Sequence, residues 1–191
     1  METASTHLQQ FRLMGRYNTW INGRLFDLAA KLPEEERKRD MGAFFHSVHG
    51  TLNHLLLTDR HWMYRFATCT PRRFNAFEGA QLITELGAHG RELFSDFGQL
   101  RAERVETDRV LGSWLEELNP GMLSLTMRYA TSQGVERVHP LWFAMAHLFN
   151  HQTHHRSQAT TLIQQLGHDY GITDFLAIYH LAPDAFEIAQ Q

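Results

Sequence analysis

Apolar residues recur three and four positions apart along four long segments of the chain, and this spacing limits the possible folds more than any other feature. The segments are 8–32, which ends at Pro33, about Gly42 to Ala67, 96–118, and Pro140 to Leu166. Residues three and four apart lie on one face of an α-helix. The spacing therefore predicts an all-α protein in which four long helices each bury one face, as in a four-helix bundle.

Residues that favour caps and turns mark the ends of these helices. The expected caps and stops are Ser5 or Thr6 before the first helix, Asp96 before the third, Asn119-Pro120-Gly121 after the third and Gly167 after the fourth. Arg104 and Asp108 lie four apart on the third helix. We expect them to pair, with a modest local gain in stability.

The connections carry some structure of their own. Between the second and third helices, 70–79 is expected to be a connection and 80–94 to hold a short helix interrupted by Gly87 and Gly90. LSLTMRY and VERVHP alternate around a turn at Ser132-Gln133-Gly134, which predicts a small β-hairpin. Thr173 is expected to cap a last short helix, DFLAIYHL. The prediction is one domain, residues 1–191: a four-helix bundle with a long crossover between helices 2 and 3 and a small β-hairpin before helix 4.

The composition argues against several classes of protein. The net charge is −3 with no block of Lys or Arg, so we expect no nucleic-acid partner. No apolar run approaches the roughly 18–20 residues that cross a bilayer, and METASTHLQQFR lacks the apolar centre of a signal peptide. We therefore expect no membrane association. Cys69 is the single cysteine, which rules out an internal disulfide and suits the reducing cytoplasm; we expect it to be a packed small residue.

The segment HLFNHQTHHRSQ, residues 147–158, contains four histidines and no acidic residue. His151 and His155 occupy positions in the apolar seam of the fourth helix where leucines are usual. A buried imidazole without a partner costs on the order of 1–3 kcal/mol, and a divalent cation satisfies two at once. From spacing alone, core histidines that are only hydrogen-bonded remain an equal alternative. His147 and His155 are ~12 Å apart along the helix, too far to share one ion, and His154 is expected to be partly exposed.

A third ligand would therefore have to come from another helix. The candidates on the second helix are His46, His49, His54 and His61. Periodicity puts His49 nearer the middle of the apolar stripe and His54 at its edge. A ligand in a cleft between helices could lie at such an edge, so periodicity allows His54 without requiring it.

Three segments together carry a family resemblance. SVHGTLNHLLLTDRHW, FNHQTHHRSQ and YNTWIN resemble the motifs of the DinB/YfiT-like family of metal-dependent enzymes, in the same order along the chain. The likeness covers nearly the full length and departs at Ser157, where glycine is more usual. The family takes its name from DNA-damage induction, but the chain does not resemble the lesion-bypass polymerase that shares the name.

The resemblance implies a four-helix bundle, a homodimer and a divalent metal held by His54, His151 and His155. It implies that His49 and His147 support those ligands or line the pocket, with burial in the core as the alternative for each. Asn18, Trp20 and Trp62 could border the same pocket, although aromatic residues at helical spacing are more often core. Arg156 is expected to face solvent rather than a substrate.

Three neutral histidines favour zinc or nickel and leave a coordination position open, which is typical of catalytic sites. The chain has no HExxH motif and no Glu-x-x-His motif, so a zinc protease and a carboxylate-rich di-iron protein are not expected. Related families imply that the metal activates a low-molecular-weight thiol for transfer to an electrophilic small molecule. The alternatives are hydrolysis of a small ester or amide by metal-bound water, and a non-catalytic metal-binding stress-response protein.

Overall fold

The structure is a computed structural model that describes residues 2–87, 91–131 and 133–181. Its elements are α1 (Glu2–Lys31), α2 (Glu34–Lys38), α3 (Val48–Thr68), α4 (Phe97–Glu117), β1 (Thr126–Ala130), β2 (Glu136–Pro140), α5 (Leu141–Gln165) and α6 (Ile178–Leu181). Short 3₁₀ turns occupy Asn75–Phe77, Pro120–Ser124 and Phe175–Ala177. The four long helices are α1, α3, α4 and α5, which confirms the predicted all-α bundle with its long crossover and hairpin.

The four long helices enclose a core with two apolar halves. α1 packs against α4 and α3 against α5, and the α3–α4 and α1–α5 contacts close the bundle. One half is built around Trp114, against which Phe66 stacks at 4.4 Å between ring centroids. The other half contains Phe26, Leu52 and Ile163. Both halves draw residues from all four long helices, so a single bundle forms.

A buried polar layer separates the two apolar halves. Arg104 of α4 donates to Asp59 of α3 at 2.5 Å and to Asp108 at 2.7 Å. Asn22 of α1 also donates to Asp108, at 3.1 Å. Arg104 and Asp108 pair as predicted, and they are 2% and 5% exposed, so the pair lies in the core.

Arg156 of α5 belongs to the same layer, which corrects the prediction that it faces solvent. The residue is 6% exposed, and its guanidinium donates to the side-chain oxygens of Asn18 and Gln152. Burial lowers the pKa of Arg156 to about 10 and raises that of Asp108 to about 6. Arg156 and His151 lie on opposite sides of α5. Arg156 faces inward because α1 packs against its side of the helix.

Two helix starts differ from the prediction. The first helix begins at Glu2, before Ser5 and Thr6. The second begins at Val48 rather than Gly42, because the Ser47 hydroxyl accepts the Gly50 N–H at 3.0 Å and caps the helix there. Residues 42–47 form a turn in which His46 has φ 63°, a left-handed conformation that a helix does not allow.

The crossover from α3 to α4 contains no helix in the described residues of 80–94, so the short helix expected there was wrong; Gly90 lies outside the described residues. In place of the hydrogen bonds of a helix, backbone N–H groups of the crossover bond to the side chain of Asn53. Its amide oxygen accepts the N–H groups of Leu93 and Phe94 at 2.9 and 3.0 Å. These hydrogen bonds satisfy the backbone and fix the crossover to α3.

The hairpin and the chain end agree with the prediction in outline. β1 and β2 pair antiparallel with Met127 opposite His139. β1 begins later than predicted because Pro120–Ser124 forms a 3₁₀ turn. Ser132 of the predicted turn lies outside the described residues. Gly167 follows α5 with φ 90°, as expected of a C-terminal stop. The last short helix divides into Phe175–Ala177 and α6, and it is preceded by Asp174 rather than capped by Thr173.

The described part of the chain, up to residue 181, includes no helix with the length and apolarity needed to cross a membrane.

Candidate metal centre

Three histidine rings converge where α3 packs against α5. His54 lies on α3, and His151 and His155 lie four residues apart on α5. One nitrogen from each ring lies within 4.8 Å of the other two. The ring centroids are 5.3 Å apart for His54 and His151, 4.5 Å for His54 and His155, and 4.2 Å for His151 and His155. The structure thus gathers the three residues that the family resemblance implied.

Phe45 forms one wall of this histidine cluster. Its ring stacks on His54 at 3.8 Å and meets His155 edge-on at 5.4 Å. Phe45 is 6% exposed and comes from the turn that precedes α3, not from a helix. Sequence reasoning assigned it to a helical stripe and missed this role, because only the left-handed turn directs the ring towards His54.

A side-chain hydrogen bond selects the tautomer of His155. The Nδ1–H of His155 donates to the Oε1 of Gln158 at 2.7 Å, so the lone pair of Nε2 remains available. The Nδ1 of His151 is buried and has no hydrogen-bond partner among the described residues. Gln158 was not predicted as part of the site. Its position three residues after His155 places the two side chains next to each other on the helix and could have indicated the contact.

The electrostatic environment favours the neutral form of the two rings on α5. Burial, together with the neighbouring His155 and His54, lowers the pKa of His151 to about 3. Burial also lowers the pKa of His155. A neutral imidazole has the lone pair that a metal ion needs. His151 and His155 therefore need no deprotonation before they can bind a cation at neutral pH.

A cleft of about 690 Å³ opens onto the cluster from the hairpin side. Its lining residues are His54, Leu57, Thr58, His61, Trp62 and Arg65 of α3, His147 and His151 of α5, Thr84, Glu85, Leu86 and Gly87 of the crossover, and Ala130 and Thr131 at the end of β1. His155 is buried behind the other two rings. A small molecule in the cleft therefore meets His54 and His151 first.

Arg65 is the cation of this cleft. Its guanidinium carbon lies 4.7 Å from the centre of the Trp62 ring and 4.2 Å from that of Tyr129. Burial lowers the pKa of Arg65 from its ordinary value. Sequence reasoning did not single out Arg65, because its position depends on the hairpin returning to α3.

The other predicted pocket residues divide into two groups. Trp62 and His147 both line the cleft, with ring centroids 4.9 Å apart. His49 lies elsewhere: its Nε2 is 2.9 Å from the Phe94 carbonyl oxygen and 2.9 Å from Glu92. Asn18 lies in the buried polar layer.

The remaining candidates of the sequence analysis lie outside the cluster. His46 pairs with Asp40 at the surface, and His61 lines the cleft with its Nδ1 3.0 Å from the Ile83 carbonyl oxygen. His154 is exposed, as predicted. Trp20 contacts Tyr17 and Arg24 rather than the cleft.

Fold and site together define a class: four-helix-bundle proteins with a three-histidine cluster compatible with a divalent metal. A profile of the DinB family matches residues 1–190. The chain belongs to the DinB family.

The chain is similar to two known proteins. Protein DinB of Bacillus subtilis (strain 168) is 26% identical over 163 residues, which cover 83% of this chain and 87% of the relative. The crystal structure of a DinB-like protein from Bacillus cereus ATCC 10987 superposes with a TM-score of 0.55 at 18% identity, covering 82% of this chain and 90% of that one. The second likeness concerns the fold alone.

Proposed function

We propose that this chain is a metal-dependent enzyme in which His54, His151 and His155 bind zinc or nickel and a low-molecular-weight thiol is transferred to an electrophilic small molecule. The observation that supports it most is the convergence of one nitrogen from each ring within 4.8 Å. Zinc–nitrogen bonds of 2.0–2.1 Å in a tetrahedral site separate the nitrogens by about 3.3 Å. The three rings would need to approach one another by no more than about 1.5 Å.

Two further features of the cluster fit a metal ion. The buried Nδ1 of His151 lacks a partner among the described residues, and Gln158 holds the proton of His155 on Nδ1, away from Nε2. Both arrangements are usual where a cation binds imidazole and a neighbouring oxygen orients the ring. The donor set contains no carboxylate, which favours zinc or nickel over iron or manganese.

His54, His151 and His155 would hold a divalent metal through neutral imidazoles, and the bound ion would supply the Lewis acidity that lowers the pKa of a thiol. The side chains around it position the reactants. Phe45 closes one side of the cluster against water, while the cleft admits a small molecule beside His54 and His151. In the transfer, sulfur forms a bond to the electrophilic carbon. The leaving group departs with the electron pair of the broken bond, and the thiol proton passes to solvent.

The lining of the cleft favours a thiol over water as the nucleophile. Hydrolysis at a zinc site commonly uses a carboxylate as general base near the metal. Among the described residues that line the cleft, Glu85 is the only carboxylate, and it is exposed in the crossover. A thiol whose pKa is lowered by a bound metal would need no such base.

The test compares metal and thiol dependence in one assay. Protein stripped with a chelator is reloaded with one equivalent of zinc or nickel, and consumption of 1-chloro-2,4-dinitrobenzene is followed with and without a panel of thiols. We expect turnover above the uncatalysed rate only when metal and thiol are both present. The expected turnover is lost in His151→Ala and kept in His154→Ala, whose side chain is exposed on the same helix. Turnover that is unchanged after the metal is removed with a chelator, or that occurs without a thiol, would contradict the proposal.

The homodimer belongs to the same proposal. The mass of the purified protein, measured by light scattering during size exclusion, is expected to be twice the 22.2 kDa of one chain. A mass of one chain at micromolar concentration would contradict it.

A further inference from the structure

The cleft next to the histidine cluster carries a cation at its far end. In the described part of the chain, Arg65 forms no ion pair within 4.0 Å, as is also true of the buried Arg37 and Arg156, whereas other arginines of the bundle do pair. Arg60, for example, pairs with Glu103, and Arg104 pairs with two carboxylates. Arg65 contacts two aromatic faces instead and lines the cleft with its charge available.

The position of Arg65 follows from the spacing along α3. His54, Thr58, His61 and Arg65 are separated by four, three and four residues, and all four line the cleft. Eleven residues of helix span ~16 Å, and helical side chains tilt towards the N-terminus. The guanidinium stacks on Trp62, three residues earlier, in keeping with that tilt. It therefore lies on the order of 10 Å from the histidine cluster along the cleft.

The aromatic contacts hold the guanidinium in place before any ligand binds. Trp62 of α3 and Tyr129 of β1 lie against it, and the Tyr129 hydroxyl is 3.1 Å from the Nε2 of His139 on β2. An arginine fixed in this way loses little further freedom when it binds a carboxylate through two N–H groups.

The charges around the cleft favour an anionic ligand. Arg65 is the only lysine or arginine among the described residues that line the cleft. Glu85 is exposed in the crossover, and among the described lining residues it is the only negative charge. A bound divalent cation would make the cleft strongly positive.

We infer that Arg65 binds a carboxylate of the thiol, on the order of 10 Å from the sulfur that reaches the histidine cluster. This inference rests on the proposed function and names its thiol class: one with an acidic group about two peptide units from the sulfur. The carboxylate accepts two N–H bonds from Arg65 while the sulfur lies beside His54 and His151. Neutral thiols and short acidic thiols make only one of the two contacts.

A series of synthetic thiols tests the inference. The probes are 3-mercaptopropionyl-glycine and its diglycine and triglycine homologues, each as the free acid and as the C-terminal amide, which has nearly the same shape without the charge. Each glycine extends the reach by about 3.5 Å, so the diglycine compound spans ~10 Å. Binding to cobalt-substituted protein is followed by the sulfur-to-metal charge-transfer absorbance, which needs no turnover.

We expect the acid to bind about 10-fold or more tightly than its amide in the diglycine compound, since a hydrogen-bonded charge pair is worth this much. The preference should be smaller for the monoglycine compound. Arg65→Gln should abolish it and Arg65→Lys should restore part of it. Arg128→Gln, which removes an exposed cation from the same hairpin, should leave it unchanged.

Acids and amides that bind equally well at every length in the wild type would overturn the inference, whatever the variants do. A preference that survives in Arg65→Gln, with the fold verified by circular dichroism, would also overturn it. Failure of the proposed function gives a different result: no cobalt binds, or no thiol of any length produces the absorbance band.

Discussion

The Nδ1–H of His155 donates a 2.7 Å hydrogen bond to the side-chain oxygen of Gln158, one turn further along α5. This bond keeps the proton of the imidazole on Nδ1 and leaves Nε2 free to face the other two rings. It also limits rotation of the ring. Gln158 therefore acts on the cluster through His155 without being one of its three members.

Gln158→Ala is expected to weaken zinc binding by about 10- to 100-fold, the usual cost of removing an oxygen that orients a ligating histidine. Competition with a chromophoric chelator measures the change. Gln164→Ala provides the control, because Gln164 is exposed on the same helix. Equal losses in both variants, or no loss in Gln158→Ala, would show that the hydrogen bond does not orient a ligand.

The neutral state of His151 predicts a pH dependence of stability in the metal-free protein. The pKa of His151 is about 3 in the folded state, below its ordinary value of 6.5. Between these values the unfolded chain binds a proton that the folded chain does not. The free energy of unfolding therefore falls as the pH drops from 6.5 towards 3, by at most about 1.4 kcal/mol per pH unit from this group and by less because the ring is partly exposed.

Urea denaturation at several pH values, with chelator present, measures this slope. His151→Gln should show a shallower loss of stability between pH 6 and 4 than the wild type, because it has no imidazole to protonate. His154→Gln, which replaces an exposed histidine, should keep the wild-type slope. An unchanged slope in His151→Gln would contradict the burial of a neutral ring.

The buried polar layer predicts a large loss of stability from a single substitution. Asp108→Ala removes a partner of Arg104 in a site where both residues are buried. Breaking a buried pair in this way costs about 3–5 kcal/mol. Glu106→Ala breaks the exposed pair with Arg109 on the same helix and should cost below about 1 kcal/mol. Similar losses of unfolding free energy in the two variants would mean that the layer does not stabilise the bundle.

Two glycines in helices are expected to respond to alanine in opposite ways. A Cβ on Gly50 would lie 2.1 Å from the Phe45 carbonyl oxygen, so Gly50→Ala should displace the turn that holds Phe45 and lower the thermal midpoint. A Cβ on Gly112 meets nothing within 4 Å, and Gly112→Ala should stabilise the protein by about 0.5–1 kcal/mol. Thermal unfolding of the two variants checks both signs. Stabilisation by Gly50→Ala would contradict the close approach of the turn to α3.

The sequence predicted the bundle because helical periodicity reports directly which face of each segment is buried. It did not predict the polar layer, since Asp59 and Arg156 are ordinary charged residues whose partners come from other helices. The start of α3 was placed too early because Phe45 continues the apolar spacing, and only the cap at Ser47 and the positive φ of His46 interrupt it. Such conflicts between pattern and local geometry are not visible in periodicity.

The candidate site was predictable in part. His151 and His155 followed from their places in the seam of α5, and His54 followed from the family resemblance. Phe45, Gln158 and Arg65 were missed, because each depends on where a neighbouring segment lies after folding. The resemblance implied that His49 supports the ligands or lines the pocket, but its ring meets the crossover at Phe94.

Zinc affinity in single histidine variants tests the central claim most directly. Competition with a chromophoric chelator should give one zinc per chain in the wild type and a loss of at least about 100-fold in His54→Ala, His151→Ala and His155→Ala, since each removes a ligand and not only its support. His154→Ala should bind as the wild type does. Wild-type protein that takes up no zinc, nickel or cobalt, or three variants that retain full affinity, would contradict the claim that these imidazoles hold one ion.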